Sequence, residues 1–271
     1  MDSFLHYEFL QRALLMAVAG GGVCGAMGVF VVLWRMSLVG MCISHAAFAG
    51  ALVGLWLGVP PLAGGVAASL GAASLVGPLA GKPGFSLDTA MGVIFSVVMS
   101  LAMLALGLLP GARTEGLSLI WGSLLTVTPF ELKLMCVTGL ALFLFVFLFF
   151  KEIQAIIGQR QAALASGVPV RGIYYATLIL MGLVVAFALK AIGGLLIYAL
   201  IVTPAATALQ LTYSLKRMFF FAALLGALSS SLGLWLSFHL ALPPGAAIVL
   251  VAAGILFLSM LFSPKKNRGA A

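Results

Sequence analysis

The sequence predicts an all-α polytopic membrane protein with about eight or nine transmembrane helices. Of its 271 residues, 63% are hydrophobic and only 7% are charged, whereas about a quarter of the residues in soluble domains carry a charge. So few charged side chains cannot cover the surface of a water-soluble globule, and disorder requires the opposite balance. The composition therefore argues strongly against a soluble enzyme, and the apolar residues recur in stretches long enough to cross a bilayer.

Nine apolar stretches separated by short polar breaks are the predicted spans, and together they form a single transmembrane domain over residues 1–271. Each is close to the roughly 20 residues that a helix needs to cross the hydrocarbon core. The half-apolar segment 113–128 predicts an interfacial helix. Paired glycines and a proline interrupt 192–211, so a broken or re-entrant element there would reduce the count to eight. The predicted spans are 13–34, 37–58, 61–81, 89–109, 131–150, 172–190, 192–211, 218–239 and 245–263.

Basic residues predict the orientation, since Lys and Arg are concentrated in cytoplasmic loops. With nine spans and an external N-terminus, ten of the 14 Lys and Arg residues face the cytoplasm and four face outward. The opposite orientation inverts that ratio. We therefore expect a multi-pass protein of a bacterial inner membrane, with a cytoplasmic C-terminus and a cytoplasmic segment at 151–171.

Sequence patterns for catalysis and nucleotide binding are weak. All six acidic residues lie at or outside the predicted span ends, so no acid is available at membrane depth. The stretch 20–25 matches G-x-G-x-x-G, but it lies inside a span, whereas a dinucleotide fingerprint follows a strand. We expect a transport protein and not an enzyme, with no cofactor, and with any ATP hydrolysis on another subunit.

His45 lies near the middle of the second predicted span. An ionisable side chain at membrane depth is costly and marks a functional pathway. Met41 lies one helical turn earlier on the same face, so its thioether and the imidazole can reach one cation of borderline or soft character. Cys42 is about 100° further round the helix and is a weaker candidate. The alternative is structural, with His45 bound to a carbonyl group and Met41 packing.

Thr203 and Pro204 lie in the interrupted stretch. Proline frees the carbonyl group four residues earlier, that of Leu200, and such a break persists at membrane depth only where protein or a water-filled cavity satisfies the backbone. The hydroxyl of Thr203 can supply part of the missing hydrogen bonding. The segment predicts either a lining of the substrate pathway or a proline kink used for packing.

The segment 151–171 predicts a docking element. Residues 159–166 favour a helix, Gly167 is suited to ending it, and Pro169 prevents its continuation. A short amphipathic helix between two spans indicates a contact with a cytoplasmic partner. A helix lying on the membrane surface is the alternative.

Four stretches together resemble one family. Arg35–Ala46 is similar to the pattern R-M-x-L-x-G-D-A-x-S-H-A, and Gly193–Thr207 is similar to G-x-L-L-x-x-A-L-x-x-x-P-A-A-T. Leu87–Gly92 and Pro244–Leu250 fit as well, in the same order. On these motifs the chain resembles the membrane permease of the metal-ion (zinc, manganese, iron) family of ATP-binding-cassette (ABC) importers.

The resemblance implies a homodimeric permease, two cytoplasmic ATPase subunits and an extracytoplasmic metal-binding protein. It places His45 on the translocation pathway. The family usually has Asp at the position of Met41, so its Asp–His pair becomes a softer Met–His pair here. The residues implied in contact with the ATPase are Gln159, Gln161, Ala162, Ala163 and Gly167.

The sequence therefore predicts a permease that imports a divalent metal ion, with zinc as the first choice because it accepts imidazole readily. Met41 and His45 would bind the ion only transiently, since a tight site would trap it. One alternative is an ABC permease for a metal chelate or another small solute. Another is a secondary transporter that works without an ATPase.

Overall fold

The computed structural model describes residues 8–80, 86–108, 113–194 and 196–263, and within these ranges the chain is helical and has no strands. The predicted all-α fold is confirmed. The helices are α1 Glu8–Leu33, α2 Ser37–Trp56, α3 Pro61–Ala80, α4 Leu87–Leu108, α5 Arg113–Trp121, α6 Pro129–Leu148, α7 Phe150–Gly158, α8 Arg160–Ala165, α9 Val170–Ile192, α10 Ile197–Leu211, α11 Leu215–Leu240 and α12 Pro244–Leu261, with a 3-10 turn at Leu124–Thr126.

Eight of these helices are long and apolar enough to cross a membrane: α1, α2, α3, α4, α6, α9, α11 and α12. The predicted stretch 192–211 becomes α10, which has only 15 residues. Its length of about 22 Å is shorter than the roughly 30 Å hydrocarbon core. Within the described residues, eight of the nine predicted spans are long enough to cross the membrane, and the ninth, 192–211, is the shorter α10.

The region around α5 also differs from its prediction as one interfacial helix over 113–128. The helix ends at Trp121, and Gly122 follows with a φ of +71° before the separate 3-10 turn. A second difference is α7, which the sequence did not predict. It follows α6 after the single residue Phe149, where the backbone leaves helical geometry (φ −103°, ψ 22°).

Three glycines bring α5, α9 and α12 together at one end of the bundle. Gly122 and Gly193 have φ values of +71° and +98°, which side chains rarely adopt. A Cβ atom on Gly193 would overlap the carbonyl oxygen of Ile120, and one on Gly245 would overlap that of Ile192. The close backbone contact therefore requires glycine at each position. We call this end of the bundle the glycine end.

The opposite end carries α8 and is called the α8 end. Here Lys216, at the start of α11, lies 5.4 Å from the ring centre of Phe150 on α7. The Ser263 hydroxyl donates to the carbonyl oxygen of Gln210 at 3.1 Å, which joins the end of α12 to the end of α10. Helices α10 and α12 therefore run in the same direction, from the glycine end to the α8 end.

Helix α1 packs antiparallel to α11, because Gly21 meets Gly226 and Gly25 meets Ala222. Its first turn is consequently at the glycine end, while the last described residue, Ser263, is at the α8 end. The two described ends of the chain lie on opposite sides of the bundle. This is the arrangement that an odd number of crossings requires, and it means that α10 completes a crossing although it is short.

Candidate functional site

His45 lies inside the protein on α2, the most buried of the eight candidate spans. Its residue surface is 8% exposed, and α2 packs against α3, α4 and α9. The edge of the imidazole meets Phe95 of α4, with the ring centres 5.0 Å apart and the planes at 74°. Both residues lie about 12 Å along their helices from the α8 end, so the pair is near the middle of the bundle.

The hydrogen bond of His45 determines which ring nitrogen is available. Its Nδ1 is 2.8 Å from the carbonyl oxygen of Met41. Because a carbonyl can only accept, Nδ1 carries the proton and donates. In the neutral ring the lone pair is then on Nε2, which is the form that binds a metal ion. The bond orients the imidazole, and it is also the carbonyl contact that the structural alternative predicts, so a ligand role for His45 and Met41 stays a prediction.

Met41 and Cys42 have different surroundings. The half-buried Met41 contributes its backbone oxygen to the His45 bond, and its thioether lies on the same face of α2. The Cys42 side chain is turned towards α4, where Sγ donates to the carbonyl oxygen of Met91 at 3.1 Å. Cys42 therefore joins α2 to α4, and its role as a pathway residue stays a prediction.

Thr203 and Pro204 lie where α10 packs on α1. The Thr203 hydroxyl donates to the carbonyl oxygen of Ala199 at 2.7 Å, so it is satisfied within α10. Buried Pro204 lies beside Gly25 of α1. These contacts match the alternative of a kinked packing element, and a lining role for either residue stays a prediction. Tyr198 of α10 lies against α2, and its ring would contact a Cβ atom on Gly40 at 3.1 Å.

The predicted docking helix is present as α8, and Gly167 ends it in the expected way. The Val168 N–H donates to the Ala163 carbonyl and the Gly167 N–H to the Leu164 carbonyl, both at 3.1 Å. With a φ of +79° at Gly167, this is a Schellman motif. Ala163 faces inward at 3% exposure, whereas Gln159, Gln161 and Ala162 are exposed.

The exposed surface of α8 also carries an apolar side chain that the sequence reasoning missed. Leu164 is 52% exposed, although α8 lies outside the candidate spans. An exposed apolar side chain at such a position is available for contact with a partner or with the membrane surface. The signal in the sequence was a single Leu between Ala163 and Ala165, which is too short a pattern to assign a direction to the side chain.

A cavity of about 560 Å³ opens at the glycine end above α2. Its wall includes an ion pair that the sequence reasoning did not find, in which Lys190 Nζ lies 3.0 Å from Glu131 Oε1. Glu131 also accepts the Thr128 N–H at 2.8 Å in a capping box at the start of α6. The pattern Thr-x-x-Glu before an apolar run is a known sign of this cap. Its pairing with Lys190 depends on tertiary structure.

The donor set for a metal ion is small. Among the described residues, no group of three or more His, Cys, Asp or Glu side chains is placed to hold one. His45 is the one histidine of the described spans that is buried, since His239 is exposed.

Eight helices that are long and apolar enough to cross a membrane, a buried histidine near their middle and a short helix at one end are the features expected of a multi-pass membrane permease. The family model of the ABC 3 transport family matches residues 6–263. The chain therefore belongs to this family, and the sequence-based identification as an ABC importer permease is confirmed.

Relatives extend along nearly the whole chain. The manganese transport system membrane protein MntC of Listeria monocytogenes is 33% identical over 267 residues, which cover 98% of this chain and 95% of that protein. The chelated iron transport system membrane protein YfeD of Yersinia pestis is 30% identical over 273 residues, or 98% and 90% of the two chains. A structure of PsaBC from Streptococcus pneumoniae in complex with Fab superposes with a TM-score of 0.88 at 33% identity and covers 98% of this chain and 96% of that one.

Proposed function

We propose that this permease imports a divalent first-row transition metal ion, which passes beside His45 between α2 and α4. The observation that carries the proposal is the hydrogen bond from His45 Nδ1 to the Met41 carbonyl at 2.8 Å, which leaves Nε2 available at mid-depth. A single imidazole binds a cation without trapping it, as transport requires. The Met41 thioether is the second candidate ligand of the same face.

Manganese is the proposed cargo. The support comes from relatives named for manganese transport that align over 98% of the chain at 33% identity. Zinc, the first choice from imidazole chemistry, gains no support from these relatives. The local donors suit zinc or iron better than manganese, because imidazole suits zinc and iron whereas manganese prefers oxygen ligands, so the support for manganese comes from the relatives alone. We infer that an extracytoplasmic binding protein selects the ion and that the permease conducts it.

We propose that the partner ATPase docks on α8. Three features support this site: the Schellman stop at Gly167 that fixes the helix end, the exposed apolar anchor Leu164, and the exposed polar residues Gln159 and Gln161 beside it. Ala163 anchors the helix to the permease from its buried side. This assignment makes the α8 end cytoplasmic, as the distribution of basic residues predicts, and it places ATP hydrolysis on another chain.

A homodimer with its contact along α4 completes the proposal. Within the protomer α4 packs mainly against α2 and less extensively against α3, and Val97, Leu101 and Leu104 form an exposed apolar stripe on α4. Because Phe95 of α4 contacts His45, pairing two copies along this stripe would place both His45 residues close to the shared interface. The binding protein would then deliver the ion at the glycine end, where the cavity beside Glu131 and Lys190 opens.

A chelate importer is the second candidate. The Y. pestis relative is named for chelated iron, and the described residues lack a multidentate metal site. In that case His45 Nε2 would accept a hydrogen bond from the chelator. Family membership speaks against a secondary transporter without an ATPase.

The cargo is tested by the metal content of a strain that lacks this gene. We expect manganese to fall and to recover when the gene is restored, while zinc and iron stay within the variation of the parent strain. A fall in zinc alone would show that zinc is the cargo and not manganese. Unchanged metal contents would refute metal import by this permease.

A further inference from the structure

A groove of about 970 Å³ runs along α1 between α6 and α11. Its floor is made of small side chains, among them Gly22 and Ala26, and Phe143, Phe147 and Phe220 form its walls. Along α6 it extends about 13 Å from the α8 end. The groove thus offers an apolar slot at membrane depth that a linear hydrocarbon chain can fill.

The charged residues of the groove are confined to its mouth at the α8 end. They are Lys151 and Glu152 at the start of α7 and Lys216 at the start of α11. Lys216 lies over the ring of Phe150. The Glu152 Oε2 atom is buried and has no hydrogen-bond partner in the part of the chain that the structure describes. An ionised oxygen in this state requires a donor, so the mouth presents two cations and one unsatisfied anion.

We propose that this groove binds an ethanolamine phospholipid of the surrounding bilayer. The phosphate would lie between Lys151 and Lys216, the primary ammonium would donate to Glu152 Oε2, and an acyl chain would fill the slot. Basic pockets between membrane helices are known to bind lipid headgroups. A purely anionic headgroup leaves Glu152 unsatisfied, and a choline headgroup has no N–H to donate. The zwitterionic ethanolamine headgroup complements all three charges.

The position of the groove favours a lipid over a second copy of the chain. Its walls, α6 and α11, belong to the side of the bundle away from α4, and neither packs extensively against that helix. Phe143 and Phe147 are 64% and 71% exposed on α6, as lipid-facing residues are. The placement of the dimer contact on α4 rests on the proposed function, whereas the groove and its three charges do not.

Native mass spectrometry tests the proposal. The permease is reconstituted with its ATPase in nanodiscs that contain equal amounts of phosphatidylethanolamine, phosphatidylglycerol and phosphatidylcholine, and the lipid that stays bound after release from the nanodiscs is identified. We expect retained phosphatidylethanolamine in excess of the other two. Gly22→Leu fills the groove, and its Cβ has room because its nearest neighbour would be 3.6 Å away; this variant should lose the lipid. Gly254→Leu is the control, since Gly254 is exposed on α12 with open space around it.

Glu152→Gln tests the headgroup separately. It removes one charge-assisted hydrogen bond, so the ratio of bound phosphatidylethanolamine to phosphatidylglycerol should fall about tenfold. An unchanged ratio, or equal lipid retention in Gly22→Leu and Gly254→Leu, would overturn the proposal. A Gly22→Leu permease that becomes monomeric while its bound lipid stays constant would also overturn it, because a second copy would then occupy the groove.

Discussion

The ion pair between Glu131 and Lys190 should hold α6 to α9 at the glycine end, and its removal should weaken the fold by a measurable amount. The Glu131 side chain is 12% exposed and the Lys190 side chain is 41% exposed. Replacing Lys190 with Met leaves a largely buried carboxylate without its cation. Glu131→Gln removes the same pair but keeps an oxygen that can accept the Thr128 N–H of the capping box.

The expected magnitude lies between two limits. Breaking a fully buried pair costs about 3–5 kcal/mol, whereas an exposed pair contributes about 0.2–1 kcal/mol. Because water reaches Lys190, we expect Lys190→Met to lower the free energy of unfolding by about 1–2 kcal/mol. For a chain of this size, each kcal/mol corresponds to roughly 2–4 °C in the melting temperature. The loss of unfolding free energy in the double variant should be about 1 kcal/mol smaller than the sum of the losses in the two single variants.

Thermal unfolding of the detergent-purified permease measures these values, with the scan rate held constant because unfolding of a large membrane protein is governed by kinetics as well. Lys133→Met is the matched control, since Lys133 is exposed two residues beyond Glu131 on the same helix. Additive single effects, or an equal loss from Lys133→Met, would refute the assignment of the pair as a structural link.

Three further outcomes follow from the packing and the proposed orientation. Gly28→Ala should prevent stable folding, measured as loss of monodisperse protein, because its Cβ atom would overlap the Ile201 carbonyl group. Gly92→Ala is the control and should fold, because there is open space around Gly92. Equal yields of the two variants would contradict the packing of α1 on α10. Leu164→Glu should abolish co-purification of the ATPase without changing the yield of the permease, and retained ATPase would move the contact away from α8. A membrane-impermeant maleimide should label Phe130→Cys in intact cells, and labelling only after permeabilisation would reverse the orientation.

Most of the fold was predictable because membrane spans are defined by composition. The ends of α3 and α6 agree with their predictions within two residues, since each begins at a proline that limits the choice of start. Helix α8 was predictable for a similar reason, because Gly167 has one preferred role after a helical stretch.

Two elements were not predictable from local patterns. Helix α10 is short because Gly193 must approach the backbone of α5, which is distant in sequence. The segment 113–128 breaks at Gly122 because of the same contact, in which the backbone of Gly122 meets that of Gly193. Periodicity contains no information on which distant backbones meet, so both breaks depend on tertiary structure.

Some of the contacts around His45 were predictable from the sequence. His45 was found because a titratable side chain in an apolar run is rare, and its Met41 contact follows from helical spacing. Its contact with Phe95, and the Glu131–Lys190 pair, join helices that are far apart in sequence. Spacing along the chain cannot reveal either of these.

The most direct measurement for the central claim is ATP-dependent manganese uptake by the reconstituted transporter with the variant His45→Gln. Glutamine can still donate a hydrogen bond to the Met41 carbonyl but lacks the imidazole lone pair. The control is His239→Gln, because His239 makes the same type of bond to Trp235 at 2.9 Å on an exposed face. We predict that His45→Gln lowers uptake about tenfold or more with the ATPase still bound, and that His239→Gln leaves uptake unchanged. Wild-type uptake by His45→Gln would contradict the account.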